Sequence, residues 1–239
     1  LDNFNIESFQ SANALRKLLS RLRFGLGNDS WIEDHPHSFG TLYYSNFFKC
    51  IQLLLAHLAF QVHLDFQYVR LADSESCRIY SKMTTGDWWW DTQDQLPAGP
   101  TIVPVKCTSI KTHWTNFSSD QHAWPLNLMI GNIRKGICHT PIKHAGILGG
   151  LIPCPPKGAK NTDEAWHSTV GTVLSPLRNL NITGPGLKWN CADGFQRQCY
   201  TLLPAWVGDY PEQHMLAQVL YGSCPMCEIP TRCSDFSTT

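Results

Sequence analysis

Two spacings near the end of the chain carry residue types that do chemistry. The apolar run Tyr200-Thr201-Leu202-Leu203-Pro204-Ala205-Trp206-Val207 leads through Gly208 to Asp209, which puts a carboxylate at the tip of a buried strand. Carboxylates so placed can hold a pair of divalent cations about 3.5–4 Å apart, one activating a water and the other stabilising a leaving oxygen. Hard oxygen ligands suit Mg2+. Asp209 also has a plainer role open to it, as the N-cap of the helix that follows. Asp193 is the competing carboxylate, but Asp193-Gly194 reads more simply as a turn between two strands. Further on, Cys224-Pro225-Met226-Cys227 has the spacing of half a zinc site, with Cys233 as a possible third thiolate. The alternative for that pair is two reduced thiols near a frayed end.

Other constellations are weaker. No serine sits in a nucleophile elbow, and Gly149-Gly150 and Gly184-Pro185-Gly186 lack the lysine and spacing of a phosphate loop. His35-Pro36-His37 has no third ligand nearby and reads as loop. Trp88, Trp89 and Trp90 are adjacent, and neighbours on a helix point in different directions, so packing is the expected role.

The 239 residues carry zero formal net charge, with 43% hydrophobic and 16% charged positions. That composition buries a core but gives none of the basic surplus that grips duplex DNA. The most apolar window, Phe47 to Val62, is interrupted by Lys49, Gln52, His57 and Gln61, too short and too polar for a bilayer span. Of ten cysteines, Cys50, Cys107, Cys191 and Cys199 lie singly in apolar segments and read as buried free thiols. Sequons at Asn28, Asn116 and Asn181 matter only in an exported protein, and no leader opens the chain. The expected location is nuclear or cytoplasmic, not secreted.

The elements that must position these residues follow from periodicity. Leu15, Leu18, Leu19 and Leu22 predict an amphipathic helix over about 11–24, and a second helix is expected over about 45–59. Val62, Leu64, Phe66 and Tyr68 alternate like a half-buried strand. Asp87 is placed to cap a short helix, and Asn161 with Glu164 to form a capping box for another, which Pro176 should kink. After the break at Pro97-Ala98-Gly99-Pro100, strands are expected at 101–109, 126–130, 144–152, 187–191 and 200–208, with a last helix at 212–221. The segment 31–41 reads as loop.

From about Leu54 to Pro230 the chain resembles Plavaka-type transposases, relatives of the CACTA elements that are abundant in fungal genomes. The blocks that carry the resemblance are Thr85-Gly86-Asp87-Trp88-Trp89-Trp90, Thr101-Ile102-Val103-Pro104-Val105, Thr115-Asn116-Phe117-Ser118-Ser119-Asp120, Ala123-Trp124-Pro125 with Ile130-Gly131-Asn132-Ile133, Cys191-Ala192-Asp193-Gly194, and Asp209-Tyr210-Pro211-Glu212-Gln213 through Cys224-Pro225-Met226-Cys227. Each block is weak alone; their shared order makes the signal.

The resemblance implies an α/β chain: an incomplete RNase H-like mixed sheet core preceded by a mainly helical N-terminal region. It divides the chain into a helical region with one strand (1–97), a truncated catalytic core (98–222) and the start of a cysteine-containing insertion (223–239). It implies a DDE centre that cuts and joins DNA with Mg2+, in which Asp209 matches the second acid. The family's first acid lies in a Ser-Asp-Lys-Thr motif, and the matching positions here read Ser109-Ile110-Lys111-Thr112. Isoleucine cannot ligate a cation. The later helix that should carry the final Glu is not present before Thr239. Lost cleavage, weak or absent DNA binding, no membrane partner and some self-association are therefore expected. Cys224, Cys227 and Cys233 are possible zinc ligands. The competing readings are a secreted disulfide-linked binding module and a DNA-binding domain without catalysis.

Overall fold

A computed structural model describes residues 31–37, 39–113, 122–140, 143–155, 158–178, 180, 182–219 and 223–226. In chain order, strand β1 (Trp31–His37) turns back into β2 (Gly40–Ser45), followed by helix α1 (Phe47–Ala56), α2 (Asp87–Asp94), β3 (Thr101–Ser109), the short β4 (Thr112–His113) and β5 (His122–Ile130). Then come β6 (Gly146–Pro153), α3 (Thr162–Leu174), β7 (Leu187–Asn190), β8 (Gln196–Val207) and α4 (Tyr210–Ala217).

All the strands join one mixed sheet in the order β1-β2-β6-β5-β3-β8-β7, with β4 paired to β5. β3 is its axis. It is buried on both faces for most of its length, as a central strand of β-branched residues should be. β3, β5 and β6 pair antiparallel as a meander; the chain then crosses through α3 and returns on the other side of β3 as β8, parallel to it. A parallel neighbour needs such a crossover, because a tight hairpin reverses direction.

One face of the sheet is covered by α1 and α3. In α1, Phe47, Cys50, Ile51, Leu54 and Leu55 are buried at helical spacing, and Asn46 caps the helix by accepting from the Lys49 amide. Phe47 packs so closely on Gly149 that a Cβ there would come within 2.3 Å of its ring, so only glycine fits. On the other face a smaller cluster joins Trp89 and Leu96 to Ile102 of β3 and Tyr200 of β8. The three tryptophans diverge as expected: Trp89 is buried, Trp88 is partly exposed, and Trp90 lies under the guanidinium groups of Arg70 and Arg78.

Several expectations need correction. The 31–41 segment is not a loop; it supplies β1 and the start of β2, and the hairpin extends the sheet beyond β6. Residues 62–68 form no strand. Leu64 makes one isolated bridge to Ile133, and the Asp65 and Arg134 amides bond to the Asn132 and His63 carbonyls, so this backbone is spent on a loop junction. Asp87 does not cap α2; it binds Arg78 and Tyr80 instead. The Asn161–Glu164 capping box is absent, because Asn161 takes a left-handed conformation with φ 55° and its side chain caps nothing. Pro176 does not kink α3 but lies beyond its end, in a 3-10 turn. α1 is shorter than expected, β8 begins earlier, at Gln196, and α4 begins earlier and ends earlier than the expected 212–221. The helix expected over 11–24 lies outside the described residues. Among those described, no helix is long and apolar enough to cross a membrane.

Candidate functional site

The corner where β3 and β8 end holds the candidate site. The two strands run parallel in register, Cys107 beside Trp206 and Thr108 beside Val207, so Ile110 and Asp209 leave neighbouring strand ends two residues further on. Ile110 is half exposed. Behind it, Ser109 is buried and accepts a 3.2 Å hydrogen bond from the Trp206 indole. Lys111 places its ammonium 5.3 Å from the centre of the Trp124 ring.

Asp209 is exposed and has extended backbone geometry, and its carboxylate accepts from the Glu212 amide at 3.0 Å. It is the N-cap of α4, so the plain role foreseen for it is real. Whether it ever held metal is a separate question of donors.

Glu212 is the residue the sequence reading passed over. One turn into α4, it is only 3% exposed, and neither carboxyl oxygen makes a hydrogen bond of normal geometry. Burial pushes its pKa up to about 7 and the Asp209 charge adds to that, while the Ser109 hydroxyl and the Lys111 amide pull the other way. A carboxyl half-protonated near neutrality, inside a corner of strand ends, has the character of a functional-site group. One sequence signal pointed to it. Gly208 precedes the helix, and a Cβ there would meet a Glu212 carboxyl oxygen at 2.9 Å, so the glycine makes room for the buried acid.

Asp193 is at the other end of β8, in the turn from β7, where Gly194 has φ 85°. Arg197 donates two 2.7 Å bonds to its carboxylate and holds its pKa down. The structure thus separates Asp193 from the corner by the length of β8, roughly 3.3 Å per residue.

Cys224 is exposed and its sulfur accepts from the Met226 amide, while Cys227 and Cys233 lie outside the described residues. His214 ties this segment to α4, its two ring nitrogens lying 2.8 Å from the Tyr210 carbonyl and 2.6 Å from the Ser223 carbonyl. Among the described residues no three His, Cys, Asp or Glu side chains gather as a metal site. Among the described residues, Cys50, Cys77, Cys107, Cys138, Cys154, Cys191 and Cys199 are free thiols. Burial raises Cys50 and Cys107 to about 12, which makes them inert packing residues. A disulfide-linked module finds no support in them.

No curated protein and no solved structure matches the chain. A family model described as Plavaka transposase matches residues 29–238, which takes in the whole sheet, both helical layers and the corner. The chain therefore belongs to the Plavaka transposase family.

Proposed function

We propose that this chain is a transposase-derived scaffold that no longer cuts DNA. Family membership gives it the ancestry of a transposable element, with DNA as the general partner and divalent metal as a general requirement. The observation that carries the proposal is the parallel pairing of β3 with β8, which brings Ile110 and Asp209 to adjacent strand ends. By the resemblance, these are the positions of the first and second acids of a DDE centre. The meander β3-β5-β6, the crossover through α3 and the return as β8 support an RNase H-like core. We assign residues 98–222 to that core, 1–97 to a region whose hairpin widens the sheet, and 223–239 to the start of a cysteine-containing insertion. The DNA ancestry favours a nuclear or cytoplasmic location.

The donors at the corner do not fit a pair of Mg2+ ions. Ile110 offers no oxygen, Asp209 is engaged as a helix cap, and Glu212 is sealed from solvent with a proton half-retained at neutral pH. A single exposed carboxylate is too few ligands for a hard cation that wants octahedral oxygen coordination.

Purified chain incubated with supercoiled plasmid in Mg2+ or Mn2+ should show no nicking above buffer. Nicking that Asp209→Ala abolishes would overturn the proposal. Ile110→Asp adds the missing oxygen beside Asp209, and this variant should gain a Mn2+-dependent rise in Tm that the parent lacks. An unchanged Tm would remove the assignment of these two positions to one cation corner.

A further inference from the structure

We propose that a cavity between the end of α1 and the segment entering β6 binds a small apolar monoanion, independently of the strand-end corner. The cavity holds about 300 Å3 and is lined by Leu53, Leu54, His57, Ala59, Phe60, Lys143, His144 and Ile147. That volume lies at the lower end of small-molecule pockets, roughly 300–1,000 Å3. It shares no residue with the corner of β3, β8 and α4.

The lining divides by chemistry. Leu54, Phe60 and Ile147 are buried and form an apolar floor, while His57, Lys143 and His144 stand exposed at the rim. Among the described residues no carboxylate lines the space. His57 accepts the Ala59 amide through Nδ1 at 3.2 Å, which leaves the proton of the neutral ring on Nε2 as a donor. Its ring packs on Phe60 at 5.2 Å, so the donor is held by an aromatic wall. His144 is one of few non-glycine residues in left-handed backbone geometry, with φ 49°. Such conformations cost energy and persist where the surrounding structure over-determines them.

Leu58 and Val62 flank the cavity in sequence and are 75% and 69% exposed. The carbonyl end of α1 carries partial negative charge, so the anionic head belongs on the Lys143 wall, with the apolar body over Phe60. This chemistry fits an unstacked nucleotide of a DNA strand, or a free aromatic or aliphatic acid.

The test uses the full chain and 1-anilinonaphthalene-8-sulfonate, an aromatic body with one sulfonate. Its fluorescence should rise saturably at one site per chain. Lys143→Glu reverses the rim charge, and Ala59→Trp fills the mouth from an exposed position without touching the core. Each should weaken binding at least tenfold with the far-ultraviolet circular dichroism unchanged. Displacement by the methyl ester of deoxythymidine 5′-monophosphate, a phosphodiester monoanion like that of a DNA strand, alone assigns the site to a nucleotide, by decanoate alone to a free acid, and by both to the shared chemistry. Absence of saturable binding, parental affinity in either variant, or displacement by neither competitor overturns the proposal.

Discussion

Two half-hidden carboxyl groups in this molecule are treated in opposite ways. Asp65 sits at the loop junction beneath β3, its side chain 15% exposed, and receives Lys82 at 2.5 Å and Arg134 at 3.1 Å. Burial works to raise its pKa, but the two cations prevail and hold it below the ordinary carboxylate value. Glu212, at the other end of the same strand, is more deeply buried and forms no salt bridge with any described residue; burial raises its pKa to about 7. One end of β3 supplies its acid with positive charge; the other does not. A junction that neutralises its carboxylate from within is built for stability. A corner that buries a carboxyl without a cation instead loses stability once that acid ionises.

The sharpest way to break this comparison is to titrate stability. The Glu212 pKa is raised on folding from 4.5 to about 7, so the protonated form is the one the fold prefers. Its contribution is fully present below pH 4.5 and is lost as pH rises through 7. At about 1.4 kcal/mol per tenfold, that shift corresponds to about 3 kcal/mol. Denaturant unfolding of the parent at pH 5 and pH 8 should differ from that of Glu212→Gln by this amount, the variant lacking the loss at high pH. Parallel pH profiles would show that Glu212 ionises freely and that the corner is open.

The junction should behave in the contrary manner. Asn132 is fully buried, and its amide nitrogen donates to the Asp65 carbonyl at 3.1 Å and the Ile102 carbonyl at 3.0 Å. The Gly131 amide bonds the Pro104 carbonyl alongside, and a Cβ at Gly131 would meet the Met83 sulfur at 2.5 Å. Asn132→Ala removes both of these hydrogen bonds and should cost about 2 kcal/mol, equally at pH 5 and pH 8. A cost that changes with pH would mean that the junction, too, titrates near neutrality.

What could be read in advance divides along the same line. β3 was legible to the residue, because a β-branched run bounded by Pro100 needs no partner to declare itself. α1 was legible as a helix but with its ends set too wide, 45–59 against 47–56, and the capping by Asp209 was legible as local chemistry. The hairpin β1–β2 was hidden by His35-Pro36-His37 and the polar residues around it, since only pairing with β6 makes it part of a sheet. The alternation at 62–68 misled for the converse reason: period two gives a strand a face but not a neighbour. Glu212 was overlooked because a glutamate in the first turn of a helix looks like an ordinary end-of-helix charge. Its burial arises only when α4 docks against the end of β3, a contact between residues a hundred positions apart. The β3–β8 register explains why the neighbour of Ile110 on the next strand is Asp209.

The smallest effect separates cap from charge at the corner itself. Asp209→Ala removes the side chain that accepts the Glu212 amide, which should cost about 1 kcal/mol as helix caps do. The same carboxylate also raises the Glu212 pKa, so its removal eases ionisation of the buried acid. The two consequences oppose each other only where Glu212 is losing its proton. The cost should therefore appear in full at pH 5 and shrink at pH 8. If the cost is instead the same at both pH values or grows with pH, Asp209 does not raise the Glu212 pKa, and the corner is an ordinary helix start with an acid buried beside it by accident.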